Sequence, residues 1–82
     1  MTTANETEPV FMEYTVDREE AAMRQRLGVF ANACGEHNLM TEVPIEGVVI
    51  VDVPLGKEEE SLPVIMANAK TAGIQMWKYD DE

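Results

Sequence analysis

The alternating run VFMEYTV, residues 10–16, constrains the fold more than any other feature of this sequence. Successive side chains of a β-strand point to opposite sides, so one face of this run is formed by Val10, Met12, Tyr14 and Val16. The other face is mixed and is formed by Phe11, Glu13 and Thr15. The pattern predicts a strand with one side buried against a core.

A helix is predicted to follow this strand. Asp17 is a favoured N-cap residue, and Glu20 lies three positions later, a spacing that resembles a capping box. An apolar stripe at helical spacing is formed by Met23, Leu27, Phe30 and Cys34. Gly35 suits the left-handed conformation that commonly ends a helix, so we expect the helix to end there.

Two further strands are predicted next. Residues 39–43, LMTEV, form a weak strand candidate. Residues 44–47, PIEG, then predict a tight turn into residues 48–53, VVIVDV, which are rich in β-branched side chains. The two strands are therefore expected to be joined by a short connection.

A second helix and a last strand complete the prediction. Ser61 is the expected N-cap, with Pro63 in the first turn because proline has no N–H to donate. The apolar stripe of this helix is formed by Leu62, Ile65, Met66 and Ala69. Gly73 is expected to end the helix, and alternation from residue 74 onward predicts a strand.

The predicted order is strand, helix, strand, strand, helix, strand (βαββαβ). This order resembles the ferredoxin-like α+β sandwich. The resemblance implies a four-stranded antiparallel sheet in the order 4-1-3-2, with both helices on one face. We expect residues 9–79 to form this single domain, residues 1–8 to be a disordered N-terminal tail, and residues 80–82 to be an acidic C-terminal tail.

Size and charge restrict the classes of partner. The chain has 82 residues, which is enough for one domain, and 16 acidic against 6 basic residues give a net charge of -10. Such a charge repels nucleic acids and anionic membranes, so we expect neither as a direct partner. The single cysteine and the lack of a long apolar run favour a cytoplasmic protein.

The segment GKEEES, residues 56–61, raises the question of phosphate binding, because a Gly-Lys pair stands between a strand and a helix. The full GxxxxGK[ST] spacing is absent, and Glu58, Glu59 and Glu60 would repel a phosphate. The same carboxylates favour the positive end of a helix dipole. We therefore expect no phosphate site here.

Cys34 and His37 have a spacing found in metal sites and in nucleophile pairs. Structural zinc takes four ligands, and no further Cys or His is available in this chain. Cys34 also falls on the apolar stripe, where a buried and inert thiol is expected. No catalytic, cofactor or metal residue is therefore predicted.

The sheet face turned away from the helices is the first candidate interaction surface. Alternation predicts that the helices meet Val10, Met12, Tyr14, Val49, Val51, Val53, Ile74 and Met76. Five residues are predicted to form a binding surface on the other face, namely Phe11, Glu13, Ile50, Trp77 and Tyr79. Val48, Asp52, Thr15 and Gln75 are expected beside them. A contiguous apolar patch of this kind usually marks an interface, either with a partner or with a second copy in a homodimer.

The second candidate surface is an acidic pole. In the predicted topology, ten acids converge on one end of the molecule: Glu6, Glu8, Glu36, Asp52, Glu58, Glu59, Glu60, Asp80, Asp81 and Glu82. We expect this pole to attract a cationic partner, with Asp52, Glu58, Glu59, Glu60, Asp80, Asp81 and Glu82 in contact with it.

These features favour a small, acidic, non-enzymatic interaction protein that binds and inhibits a basic protein, such as one that handles nucleic acids. In size and charge the chain is similar to phage-encoded inhibitors that mimic DNA and to immunity proteins against basic toxins. The alternative is a dimeric α+β-barrel enzyme or small-ligand binder, with an apolar pocket between two sheet faces lined by Phe11, Trp77 and Tyr79.

Overall fold

The alternating run becomes strand β1 in a computed structural model, which describes residues 6–79 of the chain. The elements in chain order are β1 (Thr7–Tyr14), α1 (Glu20–Glu36), β2 (Met40–Ile45), β3 (Val48–Pro54), α2 (Glu58–Ala72) and β4 (Met76–Lys78). The predicted α+β class, with a four-stranded antiparallel sheet and two helices, is confirmed.

The four strands form one open sheet in the order β2-β3-β1-β4, which reads β4-β1-β3-β2 from the opposite edge. Every neighbouring pair is antiparallel. β1 is central and pairs along its length with β3, from Thr7 opposite Pro54 to Glu13 opposite Val48. The start of β1 therefore lies at the same end of the sheet as the end of β3 and the N-terminus of α2.

The core lies between one face of the sheet and the two helices. All eight strand residues predicted to face inward are buried: Val10, Met12, Tyr14, Val49, Val51, Val53, Ile74 and Met76. They form one cluster with Met23, Phe30 and Cys34 of α1 and with Ile65 and Ala69 of α2. Both helices therefore cover the same face, and the alternate strand side chains form the open face.

The first strand is shifted toward the N-terminus relative to its prediction. It begins at Thr7, inside the predicted tail, because pairing with β3 continues to Pro54 and the Leu55 N–H donates to the Glu6 carbonyl at 3.1 Å. It ends at Tyr14, and Val16 is exposed. Residues 1–5 and 80–82, which the tail predictions also concern, lie outside the described residues.

The boundaries of α1 also differ from the prediction. Asp17 is not its N-cap, since the helix begins at Glu20 and the Asp17 Oδ1 atom accepts a hydrogen bond from the Glu19 N–H at 2.9 Å, just before the helix. At the other end the helix continues through Gly35 to Glu36. The left-handed residue is Asn38, with φ of 63°, because asparagine also tolerates that conformation.

Helix α2 begins four residues earlier than predicted, with Lys57 at the N-cap position instead of Ser61. Ser61 is not an N-cap but a buried residue inside the helix, and Pro63 is internal. Met66, predicted to be on the apolar stripe, is exposed, whereas Asn68 is buried. Asn68 is accommodated because its Nδ2 donates to the Cys34 sulfur of α1 at 3.5 Å. Gly73 ends the helix at φ of 78°, as predicted.

Candidate interaction surfaces

The open face carries its aromatic side chains where β1 meets β4. Glu13 lies opposite Trp77 in the strand register, and the Tyr79 N–H donates to the Phe11 carbonyl at 2.8 Å. Phe11, Trp77 and Tyr79 are each 46% exposed, which is high for rings of this size. The structure therefore brings three of the predicted face residues together with Glu13.

Strand β3 connects these aromatic residues to the rest of the face. Ile50 lies opposite Phe11 of β1 and opposite Glu42 of β2, and its side chain is half-buried. All five predicted face residues thus belong to one surface that crosses the sheet.

Strand β2 extends this surface further than the sequence indicated. Met40 lies opposite Asp52 and Ile45 opposite Val48, so both side chains share the open face, where they are 72% and 65% exposed. Glu42 adds a carboxylate between them. Sequence reasoning missed Ile45 because the register shifts between Glu42 and Ile45, which hides the alternation. Met40 precedes this shift and alternates with Glu42, so its apolar side chain at the start of β2 was the available signal.

In the described strands, the charged side chains at open-face positions are all carboxylates. Glu13, Glu42 and Asp52 occupy open-face positions of β1, β2 and β3. Within residues 6–79, Lys78 is the single basic residue in a strand, and it lies opposite the buried Met12 on the helix side of the sheet. The face is therefore both apolar and negatively charged.

Glu13 is held in place by Trp77. The indole Nε1–H of Trp77 donates to the Glu13 Oε1 atom at 2.8 Å. Val48 of β3 lies opposite Glu13 on its other side, and the Glu13 side chain is half-buried. This carboxylate is consequently oriented by a hydrogen bond and flanked by apolar groups.

Several carboxylates of the acidic pole have partners. Glu58 forms an ion pair with Lys78, and the Glu60 carboxylate lies 3.7 Å from the Lys57 ammonium. Glu8 accepts a hydrogen bond from the Gly56 N–H at 2.9 Å, which connects β1 to the turn before α2. These contacts give three of the acids a structural role in addition to their charge.

The other acids that were predicted to contact a partner at the pole lie in different places. Glu59 is exposed in the first turn of α2, where it faces solvent. Asp52 lies at this end of the sheet but on the open face, away from the helices. Asp80, Asp81 and Glu82 lie outside the described residues. The described part of the pole is therefore centred on the start of α2.

The opposite end of the molecule contains an ion pair that fixes the connection between β1 and α1. The Arg26 guanidinium donates to the Asp17 Oδ2 atom at 2.7 Å. The Glu19 N–H, and then Arg26, lower the pKa of the Asp17 carboxyl. Two shallow cavities of about 350 and 280 Å³ border Asp17 and Met23, and neither is lined by the open-face aromatic residues.

Cys34 is fully buried, as predicted, whereas His37 is exposed at the end of α1. Burial raises the pKa of the Cys34 thiol, and the hydrogen bond from Asn68 acts in the opposite direction. Among residues 6–79, no group of three or more His, Cys, Asp or Glu side chains is arranged to hold a metal ion. The thiol and the imidazole are thus placed in different environments.

Comparisons with known proteins give no relative from which a function could be transferred. The chain matches no protein-family model, no curated protein and no solved structure. Within the described residues, neither helix is long and apolar enough to cross a membrane.

Proposed function

We propose that this chain is a non-enzymatic interaction protein that binds and blocks a basic surface of another protein, and that the open face of its sheet makes the contact. In this proposal the fold is ferredoxin-like. The chain recognises its partner through the face of the sheet that the helices leave uncovered. The inhibitor role follows from the same idea, since a partner whose cationic surface is covered cannot use that surface.

The composition of the open face is the observation that carries this proposal. Phe11, Trp77 and Tyr79 are about half exposed, and Met40 and Ile45 are more exposed still. Together with the half-buried Ile50 they form an apolar surface across all four strands. Large contiguous apolar surfaces on small proteins usually mark interaction sites, and aromatic residues are enriched at the centres of interfaces.

The carboxylates on this face favour a cationic occupant over a second copy of the chain. A face-to-face homodimer would press Glu13, Glu42 and Asp52 of one copy against a face that carries the same three carboxylates. Each copy also carries a net charge of -10. Like charges brought together at an interface are unfavourable, whereas a surface with Arg and Lys side chains would neutralise them.

The acidic pole supports the same partner chemistry in a secondary role. Exposed charges are screened over about 8–10 Å at physiological ionic strength, so they act mainly on the approach of a partner. Glu59 and its neighbours at the start of α2 would attract a cationic surface before the open face makes contact. We therefore propose that the acidic pole increases the rate of association, whereas the open face determines the stability of the complex.

The test compares the wild-type chain with Ile50→Asp and with the matched control Val29→Asp. Val29 is an exposed aliphatic residue of α1, away from the open face. Each chain is immobilised and exposed to an extract of the source cells, the retained protein is identified, and its affinity is measured with purified components. We expect a basic protein that binds wild type and Val29→Asp equally, and Ile50→Asp at least about tenfold more weakly. Equal binding of Ile50→Asp, or an acidic partner, would contradict the proposal.

Sedimentation velocity distinguishes the cationic partner from a second copy. We expect wild type and Ile50→Asp to sediment as monomers at physiological salt, because the face carboxylates oppose self-association. A wild-type dimer that Ile50→Asp dissociates would assign the open face to a homodimer and overturn the choice of partner.

A further inference from the structure

The geometry points to Glu13 and Trp77 as a recognition site for an arginine side chain of the basic partner. The inference rests on the proposed function of the open face and adds which cation is recognised and where it binds. We propose that the guanidinium group lies over the Trp77 ring and donates hydrogen bonds to the Glu13 carboxylate.

The carboxylate is already oriented for this contact. Its Oε1 atom accepts the Trp77 indole N–H at 2.8 Å. Within residues 6–79, no donor forms a hydrogen bond with the other oxygen, Oε2. An ionised carboxylate has four acceptor positions, so a further cationic donor is accommodated without loss of the bond to Trp77. Because that bond fixes the side chain in advance, less conformational entropy is lost on binding.

The apolar surroundings of Glu13 strengthen this site. Val48 and Trp77 lie on its two sides across the strands, and Phe11 precedes it by two positions on the same face. Water has limited access to a half-buried carboxylate, and a charged hydrogen bond is stronger where the surroundings are less polar. The exposed Trp77 ring offers a face on which a cation is attracted by the π-electrons.

Arginine matches this pair better than lysine does. The guanidinium group is planar, stacks on aromatic rings and presents several N–H donors to a carboxylate at once. It is also less strongly hydrated than the lysine ammonium, so it leaves water more readily for a partly apolar surface. Phe11 and Tyr79 beside the pair would contact the methylene groups of the same side chain.

A titration with two blocked peptides tests the inference directly. The probes are acetyl-Gly-Arg-Gly-amide and acetyl-Gly-Lys-Gly-amide, and the signal is the indole N–H resonance in NMR spectra. Trp77 is the single tryptophan of the chain, so this resonance is unambiguous. We expect the arginine peptide to shift it saturably and to bind about two- to fivefold more tightly than the lysine peptide.

Two variants and one control identify the groups responsible. Glu13→Gln should weaken arginine binding by about two- to fivefold, because the half-buried ion pair is still in contact with water, whereas Glu20→Gln on α1 removes the same charge far from the face and should change nothing. Trp77→Ala keeps the carboxylate and should abolish binding, as measured at the Glu13 amide resonance. The remaining amide resonances report whether each variant is folded.

The outcomes separate this inference from the proposed function. A shift that does not saturate, equal affinity for both peptides, or unchanged affinity in Glu13→Gln would overturn the arginine site. The proposed function would still stand in those cases if the captured basic protein is lost with Ile50→Asp and retained with Val29→Asp.

Discussion

Cys34 is fully buried where α1 faces α2, and its sulfur accepts a hydrogen bond from Asn68 at 3.5 Å. Sequence spacing predicted the burial of Cys34 because it shares a stripe with Met23 and Phe30. It could not predict Asn68, because a polar residue on a helix is normally assigned to the solvent side. The inward position of Asn68 depends on an acceptor supplied by a different helix, 34 residues away.

The first prediction is that Cys34 contributes packing and no chemistry. Cys34→Ala should lower the free energy of unfolding by about 1 kcal/mol, the scale of a small core truncation, and leave partner binding unchanged. Urea unfolding measures the first quantity. Burial raises the pKa of the thiol, so the thiolate is scarce at neutral pH and a thiol reagent should label the folded protein far more slowly than the denatured protein. Equal labelling rates would show that the thiol is accessible.

At the scale of the helices and strands, two exposed glycines differ in their backbone conformation. Gly73 follows α2 with φ of 78°, whereas Gly28 lies inside α1 in the ordinary helical range. At both positions an added Cβ would have no heavy atom within 4 Å. The backbone conformation alone therefore decides the effect of a substitution.

We accordingly predict opposite changes for two identical substitutions. Gly28→Ala should raise the free energy of unfolding by about 0.5–1 kcal/mol, because alanine restricts the unfolded chain and favours the helix. Gly73→Ala should lower it by about 1–2 kcal/mol, because a Cβ is strained in the left-handed conformation. Urea unfolding of both variants beside wild type gives the two signs, and two changes of the same sign would refute the assignment.

The class of each element was accessible from sequence, whereas several boundaries were not. Period-two alternation gave the buried face of β1 and β3 correctly, because every second side chain in these strands enters one core. The start of α2 was misplaced because Ser61 has the chemistry of an N-cap, yet the turn after β3 begins the helix at Glu58. The open-face residues were predictable from the same alternation, except where the irregular register of β2 hides Ile45.

At the scale of the whole molecule, the acids at the start of α2 differ in what they support. Glu58 pairs with Lys78 of β4 and so links the helix to the edge of the sheet, while Glu59 is exposed. Reversing the charge of Glu58, Glu59 and Glu60 together would mix these roles. Single substitutions distinguish the effect of each acid on the attraction of a partner from its effect on the stability of the fold.

We predict that Glu59→Lys slows association with the captured basic partner by roughly two- to tenfold at low ionic strength and leaves the melting temperature unchanged. Glu58→Lys should slow association similarly but also lower the melting temperature, because it places two cations together. Stopped-flow binding and thermal unfolding measure the two effects. Glu20→Lys, at the opposite end of the molecule, is the control for net charge. If association slowed equally in that variant, the acidic pole would have no specific role in attracting the partner.

The hydrogen bond from Trp77 to Glu13 joins residues 64 positions apart, and it connects the first strand to the last. Protein synthesis proceeds at about 5–20 residues per second, so roughly 3–13 s separate the appearance of the two side chains during translation. Until β4 leaves the ribosome, β1 has no neighbour on that side and the aromatic part of the open face does not exist. A partner that depends on this surface therefore binds the chain only after β4 has paired with β1.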